Sequence, residues 1–244
     1  MSLLLGTDYD NTFRIAGKIS DENIEAVKEW RKRGNLFGIV TGRFEPPDDI
    51  FKFDFDFIMC CSGGLLYNNA GEIEYSVTGS NETLVNLARG CMKYSDGDDI
   101  FKVRACDGIY EFEYDEIRES NFENIRELGV FNQASIYFDD LERATAVVEK
   151  LQQEVTGVSV LQNGTSIDIP PAGMNKAEGL RRYAALHNVK PCDVYTTGDN
   201  MNDYEMLSVW NGYVVEHGRP VLIEKIGRTT PSVAALIEKV LSEK

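Results

Sequence analysis

The chain of 244 residues predicts an α/β protein: a Rossmann-like parallel sheet core with an inserted α/β (α+β) cap domain. Three observations predict it. Short apolar runs end at polar or glycine-rich tips, amphipathic helical stretches separate them, and a hairpin-rich block interrupts the alternation between about residues 79 and 172.

Leu3 to Thr7 is the first run, and it stops at Asp8, as a buried parallel strand does when its carboxyl end opens into a functional loop. The stretch from Ser20 to Arg33 follows. Ser20 suits the N-cap, Asp21 and Glu22 suit the positive end of the helix dipole, and Arg31, Lys32 and Arg33 suit the negative end, with Gly34 as terminator. Ile24, Val27 and Trp30 recur every three residues and form one apolar face. Leu36 to Val40, ending at Thr41-Gly42-Arg43, and Phe57 to Cys61, ending at Ser62-Gly63-Gly64, are the next two strands. Strands linked through helical crossovers pair in parallel.

From about Gly79 a helical stretch precedes a hairpin, Ile100 to Cys106 with Ile109 to Tyr114, and then helix, strand and helix. A second hairpin joins 158–162 to 165–169 through Asn163-Gly164, a type I′ turn signal. Pro170-Pro171-Ala172-Gly173 is a stiff connector. The expected division is 1–78 and 173–244 for the core and 79–172 for the insertion. After it come a helix from Asn175 to His187, strands at Val194 to Thr197 and Gly212 to Val215, and a last helix from Pro231 to Leu241.

A net charge of −15 disfavours nucleic acid and anionic membrane surfaces as partners, and an anionic substrate would need positive charge supplied locally. Five cysteines without a CxxC pair fit a reducing compartment, and the start has neither a basic region nor a long apolar run. The expectation is a cytoplasmic monomer or weak homo-oligomer.

Ligands of open parallel sheets bind beyond the carboxyl ends of the strands, and the chemistry-bearing residues gather there. They are Asp8 and Asp10, Thr41, and then Asp199, Asn202 and Asp203. Carboxylates converging from distant segments without nearby His or Cys select Mg2+. An Asp-x-Asp-x-Thr pattern arises by chance in roughly one chain in twenty or thirty of this length, but Gly-Asp-x-x-Asn-Asp in only about one in several hundred. The pair of motifs is therefore the signal.

With Asp8-Tyr9-Asp10-Asn11-Thr12, Thr41-Gly42-Arg43, Lys176 and Gly198-Asp199-Asn200-Met201-Asn202-Asp203 in this order, the chain resembles the haloacid dehalogenase-like superfamily, in its Cof-type phosphatase branch. The resemblance implies that Asp8 is a nucleophile forming an aspartyl phosphate and that Asp10 alternates as acid and base. It implies that Thr41, Gly42, Lys176 and Asn202 bind the substrate phosphoryl group. For Mg2+ it implies Asp8, the Asp10 backbone carbonyl and Asp199 as ligands, with Asp203 acting directly, through water, or only by orienting Lys176. The implied activity is hydrolysis of a small phosphorylated metabolite, a sugar phosphate or similar phosphomonoester. A phosphomutase using the same intermediate and a phospho-acceptor domain without turnover are the alternatives. Asn11 replaces the family's usual glycine, and Ser62 stands where an asparagine is common.

Overall fold

The computed structural model describes residues 2–243. Among them, eight strands form one sheet in the order Thr229–Thr230, Asn211–Val215, Val194–Gly198, Leu4–Thr7, Leu36–Val40, Phe57–Cys60, Leu65–Asn68, Ile73–Ser76. The first six run parallel. The last two continue the sheet antiparallel. Leu4–Thr7 lies between Val194–Gly198 and Leu36–Val40, so the tips that carry Asp8, Thr41 and Asp199 share one edge.

Alternation along each strand divides the core. Leu5, Ile39 and Ile58 pack with Val27 and Trp30 of the first helix and with Leu236 and Ile237 of the last. Leu4, Val40, Phe57 and Met59 point the other way, against Ala177, Leu180, Tyr183 and Ala184. The first helix spans Asp21–Lys32, and the Ser20 hydroxyl caps it by accepting from the Asn23 backbone N–H at 3.2 Å. The helix Lys176–Leu186 is capped in the same way, Asn175 accepting from the Glu178 N–H at 2.9 Å.

Residues 84–169 contribute a separate apolar cluster, which includes Leu84, Phe101, Phe131, Ile136, Leu151 and Ile167. It lies against a second, antiparallel sheet in the order Leu161–Asn163, Ser166–Ile169, Phe131–Tyr137, Ile100–Ala105, Gly108–Glu113.

Three sequence expectations shift. The second hairpin turns at Gly164-Thr165, because Asn163 pairs with Ser166; only Gly164 of the two takes a positive φ, 63°, which excludes the type I′ geometry. The last helix begins at Val233, not Pro231, because the Ser232 hydroxyl accepts from the Ala235 N–H at 3.1 Å and so caps the first turn. The helix Pro220–Ile226 was not expected; its proline sits in the first turn, where the missing N–H costs nothing.

One close approach sets the position of the helix that carries Lys176. A Cβ on Gly179 would lie 2.6 Å from the Gly63 Cα, and one on Gly63 would lie 2.7 Å from the Asn175 carbonyl oxygen. Backbone meets backbone there, so no side chain can yield. Gly179→Ala should therefore destabilise the fold by about 1–3 kcal/mol, read from urea denaturation, in contrast to the small gain that alanine gives in an open helix.

Candidate active site

Asp8 stands one residue beyond the first strand, with its N–H donating to the Thr197 carbonyl at 2.9 Å. Thr197 donates from its hydroxyl to Thr7 at 2.6 Å, and Thr7 donates to the Asp8 carbonyl at 2.9 Å. This chain of hydroxyls fixes the strand tip. The turn that follows needs a left-handed residue at Asn11, φ 57°, a conformation that asparagine tolerates better than most side chains, which accounts for its standing in a glycine position.

Lys176 is 2 % exposed and bridges two carboxylates, donating to Asp8 Oδ1 at 2.5 Å and to Asp203 Oδ1 at 2.6 Å. The other oxygen of Asp203 accepts from the N–H groups of Asp199 and Asn200 at 3.0 and 3.1 Å. Asp203 is fully buried, and Gly198 makes room for it: a Cβ there would lie 2.5 Å from the Asp203 carboxyl carbon. Asp199 accepts from the buried Thr12 hydroxyl at 3.2 Å.

Oxygens of Asp8, Asp199 and Asp203 lie within 4.8 Å of one another. Burial pushes the Asp8 carboxyl well above its usual pKa against the pull of Lys176, and the neighbouring Asp203 and Asp199 push it further. Burial, and then Asp203, raise Asp199 as well. Burial alone would lower the Lys176 pKa, but the charges of Asp203 and Asp8 outweigh it and hold the ammonium above the usual lysine range. With Lys176 against three acidic groups, the cluster is short of positive charge. Its oxygen-only donor set matches a hard dication, which would offset the burial cost of the carboxylates.

Asp8, Asp10, Thr41, Gly42, Arg43, Asp199 and Asn202 border one small cavity of about 80 Å3. Asn202 has a buried Oδ1 without a hydrogen-bond partner. Lys176 and Asp203 make no part of the cavity wall and act on it through the Asp8 carboxylate that Lys176 holds and the Asp199 and Asn200 backbone that Asp203 holds. The Asp10 side chain takes a different direction from the other acids. It accepts both forks of Arg43, at 2.7 and 2.8 Å, and lies outside the three-carboxylate cluster.

The sequence did not single out the residues that the 79–172 segment sends to this edge. Gln133 donates to the Gly42 carbonyl at 2.8 Å and accepts from the Ser62 hydroxyl at 2.9 Å. Asp168 accepts from Ser135 at 2.8 Å and from Asn163 at 3.1 Å, and Asn163 borders the cavity. A Cβ on Gly42 would lie 2.5 Å from Asp168 Oδ2, so only glycine admits that carboxyl. The signal available in sequence was Asn163-Gly164, legible as a turn and not as a cavity wall.

A largely parallel sheet with a lysine-bridged carboxylate cluster beyond its strand ends defines an α/β protein with a buried charged site. The family model for haloacid dehalogenase-like hydrolases matches residues 5–235, and the chain belongs to that family. Over 85 residues, 30 % of this chain, it is 31 % identical to a phosphoglycolate phosphatase of Methanococcoides burtonii, 38 % of whose length is covered. The chain thus spans less than half the length of the curated relatives it matches. Among solved structures, a HAD/COF-like hydrolase from Plasmodium vivax aligns with TM-score 0.82 at 19 % identity over 100 % of this chain and 96 % of that one. A phosphatase of the same superfamily from Bacteroides thetaiotaomicron aligns with TM-score 0.79 at 20 % identity, covering 99 % and 95 %. At such identities the likeness is one of fold. Among the described residues no helix is long and apolar enough to cross a membrane.

Two outcomes follow from the charges. Lys176→Met leaves the buried Asp8 and Asp203, with the half-buried Asp199 beside them, without their counter-charge and should cost about 3–5 kcal/mol in urea denaturation at pH 7 without divalent ions. Asp168 is fully buried, and burial raises its pKa from 3.8 to about 6 despite the Ser135 and Asn163 donors. The folded state therefore holds that proton more tightly than the unfolded chain, and stability from this group declines as pH rises from about 4 to about 6. Denaturation at a series of pH values should show a decline on the order of 3 kcal/mol that is missing in Asp168→Asn.

Proposed function

We propose that the protein is a Mg2+-dependent phosphatase that hydrolyses a small phosphorylated metabolite, a sugar phosphate or similar phosphomonoester, through an aspartyl phosphate on Asp8. The observation that carries this reading is the buried Lys176 ammonium held between Asp8 and Asp203 beneath a cavity bordered by Thr41 and Asn202. Such a cavity offers what phosphoryl transfer asks of a protein, namely fixed geometry and compensation of the charge on the transferring group.

Asp8 and Asp199, with the Asp10 backbone carbonyl, would hold the metal. Asp203 has both oxygens engaged by donors, which favours its role as the anchor of Lys176 over direct ligation. When bound, Mg2+ supplies positive charge to the phosphoryl oxygens and to the nucleophile.

An Asp8 carboxylate oxygen attacks phosphorus as the bond to the leaving oxygen breaks, and Asp10 gives that oxygen its proton. Asp10 then takes a proton from a water whose oxygen attacks the same phosphorus. Inorganic phosphate leaves, and Asp8 is regenerated. Thr41 and Asn202 border the space for the phosphoryl oxygens, to which a threonine hydroxyl and an asparagine amide N–H can donate.

Phosphate release from a panel of sugar phosphates, measured with Mg2+ and with EDTA, tests the reading. Turnover in the first condition, at least a hundredfold loss in the second, and no turnover in Asp8→Asn are expected. Release that persists in Asp8→Asn would defeat it.

A further inference from the structure

Asp10 has to meet the oxygen that bridges phosphorus and the leaving group, and its aim in this structure is set by one side chain. Arg43 binds the Asp10 carboxylate through both forks, Nε to Oδ2 at 2.7 Å and Nη2 to Oδ1 at 2.8 Å. A planar guanidinium fixes the rotation of a carboxylate, which a point charge does not. Arg43 is itself held in three ways. Its N–H donates to Thr41 Oγ1 at 3.2 Å, its carbonyl accepts from the Cys61 N–H at 2.8 Å, and its guanidinium lies 5.2 Å from the centre of the buried Tyr9 ring. Arg14 approaches Asp10 only to 3.7 Å and is engaged more closely by Asp49, at 3.1 Å.

Two cavities meet at this arginine. One is the cavity of about 80 Å3 beside Asp8; the other, of about 720 Å3, is bordered by Tyr9, Arg14, Glu45, Lys52 and Tyr137. The first is too small for an organic group beyond the phosphoryl, and the second has the size of a small-molecule site. The bridging oxygen of a phosphomonoester laid across them would fall at their common wall, where Arg43 presents Asp10.

We infer that Arg43 is a positioning residue that aims the Asp10 carboxyl at the leaving oxygen, with the leaving group in the larger cavity. This rests on the reading of Asp10 as the proton donor. An exposed Arg–Asp pair contributes little to stability, so the effect of losing Arg43 belongs to turnover and not to folding.

The test compares p-nitrophenyl phosphate, whose phenolate leaves without a proton, with glycerol 2-phosphate, whose alkoxide needs one. Wild type, Asp10→Asn, Arg43→Ala and Arg43→Lys are assayed with Mg2+ for kcat and KM, and melting temperatures are recorded alongside. Arg43→Ala should lose at least tenfold more kcat on glycerol 2-phosphate than on p-nitrophenyl phosphate, with its melting temperature close to wild type. Arg43→Lys should stay within about threefold of Arg43→Ala, because lysine lacks the fork. Should Arg43→Ala not fold, Arg43→Lys carries the same comparison. Equal losses on both substrates while Asp10→Asn discriminates between them, or full recovery in Arg43→Lys, would overturn the inference alone. If Asp10→Asn itself fails to discriminate, the reading of Asp10 falls and the inference falls with it.

Discussion

Lys176 keeps a positive charge where water hardly reaches, and the rest of the site is arranged around that ammonium. A buried cation is tolerable only when anions and hydrogen bonds replace its hydration, and Asp8 and Asp203 do so at 2.5 and 2.6 Å. The same contacts hold the Asp8 carboxyl in one orientation at the end of the first strand. Asp203 in turn gathers the Asp199 and Asn200 backbone, so the lysine organises a loop that it does not itself enter. The net charge of −15 makes this local cation more consequential, because the distant field would repel an anionic ligand of the kind proposed above.

Missing side chains make that arrangement possible as much as charges do. Gly179 and Gly63 let the lysine's helix touch the loop after the third strand, and Gly198 leaves space for the Asp203 carboxyl. Gly42 plays the matching part toward the 79–172 segment, admitting Asp168 while its carbonyl accepts from Gln133. Core and inserted sheet therefore meet through polar groups at the rim of the cavity. Asp168 is fully buried in that contact with a raised pKa, so it is neutral more readily than an exposed carboxyl would be.

The parts of the fold that were legible in sequence are those written in local pattern. The strand Leu4–Thr7, the capped helix Asp21–Lys32 and the helix Lys176–Leu186 each carry their period and their end signals within a few residues. Asp8, Lys176, Asp199 and Asp203 were legible because each stands at a strand tip or helix start that the pattern locates. The part that Gln133 and Asp168 take at this edge was not, since they reach the core through partners 71 to 126 residues away in the chain, as in the Ser62–Gln133 bond and the Gly42–Asp168 approach. Arg43 is legible only as the last residue of Thr41-Gly42-Arg43. Its fork on Asp10 is a matter of side-chain direction, which no spacing encodes. The Ser232 cap displaced the start of the last helix for a similar reason, because the direction of its hydroxyl is not encoded in spacing.

The central claim is that the oxygen attacking phosphorus belongs to Asp8. Acid quenching of the enzyme during turnover of a 32P-labelled phosphomonoester with Mg2+, followed by borohydride reduction, proteolysis and mass spectrometry, tests it directly. The account predicts label on the quenched protein and, after reduction, homoserine at position 8. Full turnover with no label on the protein, or with reduction mapped to a different aspartate, would contradict it.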